Sequence, residues 1–276
     1  MNRLIIGLIL AVCVCFNGYA QRSESFSVRS SEGLLHAELQ MPEISKEKKV
    51  PLVIICHGFG GNCEAKLLTD IADNLQNHGI ASIRFDFNGH GKSEGEFQNM
   101  TVLNEIQDLK NIIEWAQTKP WVKNISLLGH SQGGVVVSMT AGELGDKVIK
   151  SAVLMAPAAV LRDDALRGNT MGAMYDPWNM KEEYVQLPFG GMKLGREYIK
   201  TALTLPIYET AFKYRGPVLV IHGTYDRVVP YTYGERYDIG YKNSKLYLIQ
   251  GDDHGFSQTS TETSQYAAEW LATHLR

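Results

Sequence analysis

An apolar run at 125–128 meets Gly129-His130-Ser131-Gln132-Gly133-Gly134, and a small, apolar run at 134–139 follows at once. Few local patterns leave a chain so little choice. A strand that turns directly into a helix brings two backbones almost into contact, and glycine at 129 and 133 leaves room for that approach. Ser131 is then lifted out at the apex of the turn. A glycine-rich turn with an exposed serine would use the same letters, so the rest of the chain has to decide.

The neighbouring segments switch between two periodicities. Residues 25–30 and 34–41 alternate on either side of Glu32-Gly33 and predict an antiparallel hairpin at a sheet edge. Residues 43–49 are charged and predict a surface loop. Apolar runs at 51–56, 80–87, 124–128, 151–156, 217–221 and 245–250 predict strands, the last three and 51–56 buried. Leu67, Leu68, Ile71 and Leu75 have helical spacing within 64–78, closed by Gly79. Thr101 caps a helix to about Lys119, with Leu103, Ile106, Leu109, Ile112 and Ile113 on its inner face, and Pro120 stops it. Helices are also expected at 132–144 and 264–275. Strands alternating with helices predict an α/β fold, a mostly parallel central sheet flanked by helices.

Residues 158–210 break the rhythm. They are rich in Met, Tyr, Pro and Gly, among them Met171, Met174, Tyr175, Trp178 and Tyr184, and no strand is expected in them. An insertion this long between two sheet strands predicts a lid over the carboxyl ends of the strands, where open α/β sheets bind ligands. The alternative is a surface insertion with a small core of its own.

A chain of 276 residues with 44% apolar content can bury one large core, and 21–276 is expected to be a single domain carrying the lid. The net charge of −3, with no long run of one sign, argues against a nucleic-acid partner. Residues 1–20 have the form of a signal peptide. Arg3 precedes an apolar stretch too short to span a bilayer, and Gly18-Tyr19-Ala20 supplies the cleavage site, so export to the periplasm or medium is expected. Lipid attachment at Cys13 or Cys15 is disfavoured by Val12 and Val14. No other apolar run approaches the length of a span, so no membrane partner is expected. Cys56 and Cys63 are expected to be unpaired thiols, although an oxidising compartment would permit a bridge. With no matching histidine cluster, no metal and no cofactor are expected.

Ser131 alone is a poor nucleophile and needs a base with an orienting acid behind it. The late strands end in His222-Gly223-Thr224-Tyr225-Asp226 and in Gly251-Asp252-Asp253-His254-Gly255. His254 is the expected base and Asp226 its acid. Asp252 and Asp253 are too close in sequence to orient the ring, and Asp238 falls in a helix. The oxyanion donors are expected to be the backbone N–H groups of Gln132, next after the serine, and of Phe59 in His57-Gly58-Phe59-Gly60-Gly61. Gly91-Lys92-Ser93 resembles the end of a phosphate loop, but Asp86 stands where that loop needs glycine.

On these motifs the chain resembles the α/β-hydrolase superfamily, in which the order Ser, Asp, His is usual, and more narrowly the bacterial feruloyl (cinnamoyl) esterases. The narrower likeness lies in Arg84-Phe85-Asp86-Phe87-Asn88-Gly89-His90-Gly91-Lys92-Ser93-Glu94-Gly95, in Asn99-Met100-Thr101-Val102-Leu103-Asn104-Glu105 and in Leu205-Pro206-Ile207-Tyr208-Glu209. The resemblance implies a serine esterase acting through an acyl-enzyme on hydroxycinnamate esters of plant cell-wall sugars, small or oligosaccharide, with a homodimer left open. It implies that Asp164 and Tyr198 in the lid contact the phenolic end. Met171 departs from the glutamine usual among such relatives, which puts the preferred ring substituents in doubt. An acetyl or short-chain esterase, a serine peptidase of the same superfamily, and a non-catalytic module on this scaffold are the rival readings.

Overall fold

In the computed structural model, residues 22–43 and 49–275 are described. The signal peptide expected over 1–20 and most of the charged loop expected over 43–49 lie outside them. Strands β1 (Arg22–Ser30) and β2 (Gly33–Met41) form the expected hairpin, in register from Arg22 opposite Met41 to Ser30 opposite Gly33. β3 (Val50–Cys56), β4 (Ala81–Phe85), β5 (Val122–His130), β6 (Ile149–Met155), β7 (Val218–Gly223) and β8 (Ser244–Ile249) pair in parallel. The eight-stranded order is β1-β2-β4-β3-β5-β6-β7-β8, with β2 antiparallel to β4.

Alternate residues of one strand feed two separate cores, as the pleat requires. From β3, Leu52, Ile54 and Cys56 enter the core beneath α2 (Val102–Gln117) and α3 (Gln132–Leu144). Val53 and Ile55 enter the opposite core beneath α1 (Lys66–Asn77) and α8 (Ser260–His274). This burial on both faces explains why the central strands read as unbroken apolar runs. β8 was expected to be buried as well. It is an edge strand whose Lys245 and Tyr247 are exposed.

Two further expectations shift at element ends. β4 stops at Phe85: Asp86 N–H still reaches the His36 carbonyl of β2 at 2.9 Å, and the N–H groups after it bond to side chains. Phe87 N–H donates to His57 Nε2 at 3.1 Å and Asn88 N–H to Asp108 Oδ2 at 2.9 Å. In α2, Thr101 and Asn104 form a reciprocal capping box. Leu103 is half exposed rather than inward, and Val102, Glu105 and Asp108 join the buried stripe instead.

The insertion carries α4 (Val160–Arg167), α5 (Arg196–Thr204) and α6 (Ile207–Ala211). It also has strands, contrary to expectation: two small hairpins, at 169–174 and 184–195, neither joined to the main sheet. Leu194, Tyr198, Ile199 and Ala202 merge with the core under α2 and α3, while Ala158 and Val160 join Val229 in a small cluster apart from it. α7 (Thr232–Gly240) follows β7. No helix among the described residues is long and apolar enough to cross a membrane.

Candidate active site

β5 runs straight into α3 through Ser131, whose backbone sits at φ 57°, ψ −124°. The region is costly for a side chain that branches from Cα, and it holds here because its surroundings over-determine it. Ser131 N–H donates to the Met155 carbonyl at 2.9 Å, while its own carbonyl accepts from Gly134 and Ala158. A Cβ at Gly129 would stand 2.2 Å from the Gly133 carbonyl oxygen, so the turn closes only without one.

Loops after β7 and β8 bring the other two expected residues to the serine. Ser131 Oγ lies 2.9 Å from His254 Nε2, and His254 Nδ1 lies 2.7 Å from Asp226 Oδ2. The carboxylate accepts only, so Nδ1 carries the proton and Nε2 is left to receive one from the hydroxyl. Asp226 Oδ1 accepts the N–H groups of Val228 and Val229, each at 2.8 Å. Burial raises the Asp226 carboxyl, but hydrogen bonds from His222 and His254 outweigh it and hold it well below the ordinary carboxylate range. Asp252 and Asp253 do not reach the ring. Asp252 accepts from Thr259 and Gln258, and Asp253 from Gly255 and Ser257, so both staple their own loop.

Phe59 and Gln132, whose N–H groups were expected to serve the oxyanion, line one cavity. Gln132 opens α3, where a helix leaves its first N–H groups without internal partners. Phe59 lines the same cavity from the loop after β3. An added Cβ on its neighbour Gly58 would stand 2.8 Å from Ser131 Cβ, so this loop lies directly against the serine.

Histidines that the sequence reading passed over hold these loops. His57 donates from Nδ1 to the Gly58 carbonyl at 2.8 Å and accepts Phe87 N–H at Nε2. His90 Nε2 accepts Gly60 N–H at 3.3 Å. His130, beside the serine, donates from Nε2 to the His254 carbonyl at 2.8 Å and so ties down the loop that carries the base. Burial is the first cause of the low values for His57, pushed to about 3, and His130, pushed to about 4, so both stay neutral where enzymes work. The signal was present: one histidine directly precedes the serine, and another directly follows β3.

A cavity of about 390 Å³ opens over Ser131. Gly61, Ala65, Leu67 and Leu68 wall it from the start of α1, and Val160, Leu161, Thr170, Met171 and Tyr198 from the lid. Asp164 reaches the cavity while bonded to Arg167 at 2.6 Å, and burial raises its carboxyl. Tyr198 is buried at 2% exposure, and its hydroxyl donates to Gln132 Oε1 at 2.8 Å. The same Gln132 side chain donates to buried Glu105 at 2.8 Å. The lid is thus bonded to the first residue of the elbow helix. A second cavity of about 740 Å³ shares Asp164, Met171 and Val228 with the first and is rimmed by Arg167, Asn169, Met174 and Arg227.

Both remaining cysteines are free and buried. Cys63, His36 and Asp86 bring ligand-type atoms within 4.8 Å of one another, a cluster the sequence did not suggest. Asp86 Oδ1 already accepts Cys63 N–H at 2.6 Å and Oδ2 accepts Lys92 N–H at 2.8 Å, and burial pushes the Cys63 thiol up to about 12. Those groups staple the turn, Asp86 joining Cys63 to Lys92.

A family model described as serine aminopeptidase, S33, matches residues 47–180. Est1E from Butyrivibrio proteoclasticus, solved with ferulic acid bound, superposes with a TM-score of 0.85 at 31% identity, over 90% of this chain and 98% of that one. The chain belongs to the α/β-hydrolases. This α/β-hydrolase also shares its fold with the α/β-hydrolase GrgF from Penicillium, with a TM-score of 0.70 at 19% identity over 92% of this chain and 99% of the other. Among curated relatives, an uncharacterized 31.7 kDa protein of Escherichia coli is 36% identical over 116 residues, 41% of this chain. That match spans only 40% of the relative's length. The mouse palmitoyl-protein thioesterase ABHD10 is 25% identical over 205 residues, 70% of this hydrolase and 65% of its relative.

Proposed function

We propose that this α/β-hydrolase is a serine esterase that releases ferulate or a related hydroxycinnamate from sugar esters. The observation that carries the reading is the unbroken chain of hydrogen bonds from Ser131 Oγ through His254 to Asp226 under an apolar-walled cavity. Support for the acyl group comes from the likeness to Est1E, a protein solved with ferulic acid bound.

Ser131 Oγ attacks the ester carbonyl carbon as His254 Nε2 takes its proton, and the carbonyl oxygen turns toward the N–H groups of Phe59 and Gln132. Collapse breaks the bond to the alcohol, which leaves with the proton from His254. The acyl group stays on Ser131 until water, deprotonated by His254, repeats the attack and frees the acid. Asp226 remains ionised throughout and stabilises the imidazolium. In this reading Asp164 and Tyr198 border the far end of the acyl group, with the Tyr198 oxygen retaining acceptor capacity beyond its bond to Gln132.

Product analysis on feruloylated arabinoxylan, beside a panel of short-chain esters, tests the substrate. Free hydroxycinnamate is expected. Cleavage of acetate esters with no hydroxycinnamate released would leave a general esterase. Ser131→Ala is expected to lower turnover by about four orders of magnitude or more. The aminopeptidase description of the matching family model favours one second reading, an amide hydrolase using the same residues. Release of amine from aminoacyl anilides at rates matching the esters would favour it. The proposal includes export, tested by sequencing the N-terminus of protein recovered outside the cytoplasm for a start at Gln21.

A further inference from the structure

The carboxyl end of β7 holds a histidine that the proposed reaction does not use. His222, the last residue but one of that strand, is completely buried at 0% exposure. Its Nε2 stands 3.1 Å from Asp226 Oδ2 and 2.9 Å from the Val229 carbonyl oxygen. Both partners are acceptors, so Nε2 carries the proton and shares it between them. Nδ1 is buried with no hydrogen-bond partner. It faces α7 at Gly234, where an added Cβ would stand 2.6 Å away. An N–H at Nδ1 would be buried without an acceptor, so the ring is held as the Nε2–H tautomer.

The consequence falls on Asp226. Its Oδ1 is fixed by Val228 and Val229 N–H. Its Oδ2 receives two imidazole donors, His254 Nδ1–H at 2.7 Å and His222 Nε2–H at 3.1 Å. Four donors leave the carboxylate one orientation. His222 does not line the cavity, so whatever it does for the reaction passes through Asp226 and Val229.

We infer that His222 is a positioning residue for the proton relay: it bonds the same Asp226 oxygen that receives His254, fixes the carboxylate plane, and tempers the pull of that carboxylate on the His254 proton. The inference rests on the roles proposed above for Ser131, His254 and Asp226. The groups facing His254 are Ser131, Asp226, and His130, whose ring centroid is 4.9 Å away. Asp253 shares its loop, and His222 stands behind Asp226.

The test compares His222→Phe, which fills the ring volume without a donor, with His222→Gln, which returns one, using p-nitrophenyl acetate as substrate. For His222→Phe, kcat is expected to fall about 10- to 100-fold with KM within about twofold. The acid limb of kcat/KM moves to higher pH, because Asp226 with one donor fewer draws the proton on His254 more strongly. His222→Gln recovers part of kcat and moves the limb back. A purely structural role would not move the limb, so a folded His222→Phe with an unshifted limb overturns the inference. Should His222→Phe fail to fold, nitrogen-15 NMR of the imidazoles in the intact wild-type protein decides. An Nε2–H tautomer at His222 supports the inference and an Nδ1–H tautomer ends it. Ser131→Ala assayed in parallel separates the two failures: full activity there overturns the serine mechanism whatever the tautomer of His222.

Discussion

At Gly133 an added Cβ would stand 2.3 Å from the His57 carbonyl oxygen and 2.6 Å from that of Cys56. Backbone cannot yield as a side chain can, so Gly133→Ala should destabilise the fold by about 3 kcal/mol or more, read from urea unfolding. Gly58→Ala is a different case. Its Cβ would press on the Ser131 side chain, 3.3 Å from Oγ, and should lower kcat far more than stability. His57 carries a pH signature. Burial, then His90, pushes it down to about 3, against about 6.5 for an unfolded histidine. Between those values the unfolded chain binds more protons, so the contribution is whole above about pH 6.5 and is lost as pH falls toward 3. His57→Asn keeps a donor for the Gly58 carbonyl and should flatten the stability–pH curve in that window by up to about 1.4 kcal/mol per pH unit. Ser131, Asp226 and His254 were legible because each follows a strand in a recognisable order. The partners of His57, His130 and His222 were not, because a ring nitrogen's acceptor is chosen by the fold and leaves no spacing to read.

Element ends were the least legible part. The last residue expected in β4, Phe87, gives its N–H to a side-chain acceptor on His57, and nothing local in 80–87 announces that. Leu103 was assigned inward on periodicity, yet the stripe of α2 begins one residue earlier and tolerates two acids, because Glu105 meets Gln132 and Asp108 meets Ser30 and Asn88. The capping box that starts this helix was half visible in Thr101. Thr101→Ala should cost about 1 kcal/mol, measured by thermal or urea unfolding. The insertion was legible as an irregular segment but not as a pair of hairpins, since strands of two or three residues carry too little pattern. Its bond to the elbow gives a prediction at this scale. Tyr198→Phe removes the donor to Gln132 Oε1 and should reduce kcat/KM about tenfold with little change in the far-UV spectrum, because a buried acceptor is left unpaired beside the oxyanion loop.

For the whole molecule, parallel pairing of the six later strands sends β3, β5, β7 and β8 toward the same edge, so the elbow and the three loops that face it share one rim. That much follows from alternating strands and helices, whereas the antiparallel attachment of β2 to β4 does not. Cys56 and Cys63, at 0% and 1% exposure, flank the loop of His57 to Gly61. A thiol reagent should label neither in the native state and both after unfolding, with reductant leaving the unfolding midpoint unchanged. The two chambers above the rim share Asp164, Met171 and Val228 as lining. None of the three side chains bonds to Ser131 or His254, and Val228 bonds to Asp226 through its backbone alone, so each can be trimmed or thickened with the hydrogen-bonded triad left in place. How long a molecule this hydrolase admits is therefore expected to be an adjustable trait, open to change at three positions one by one.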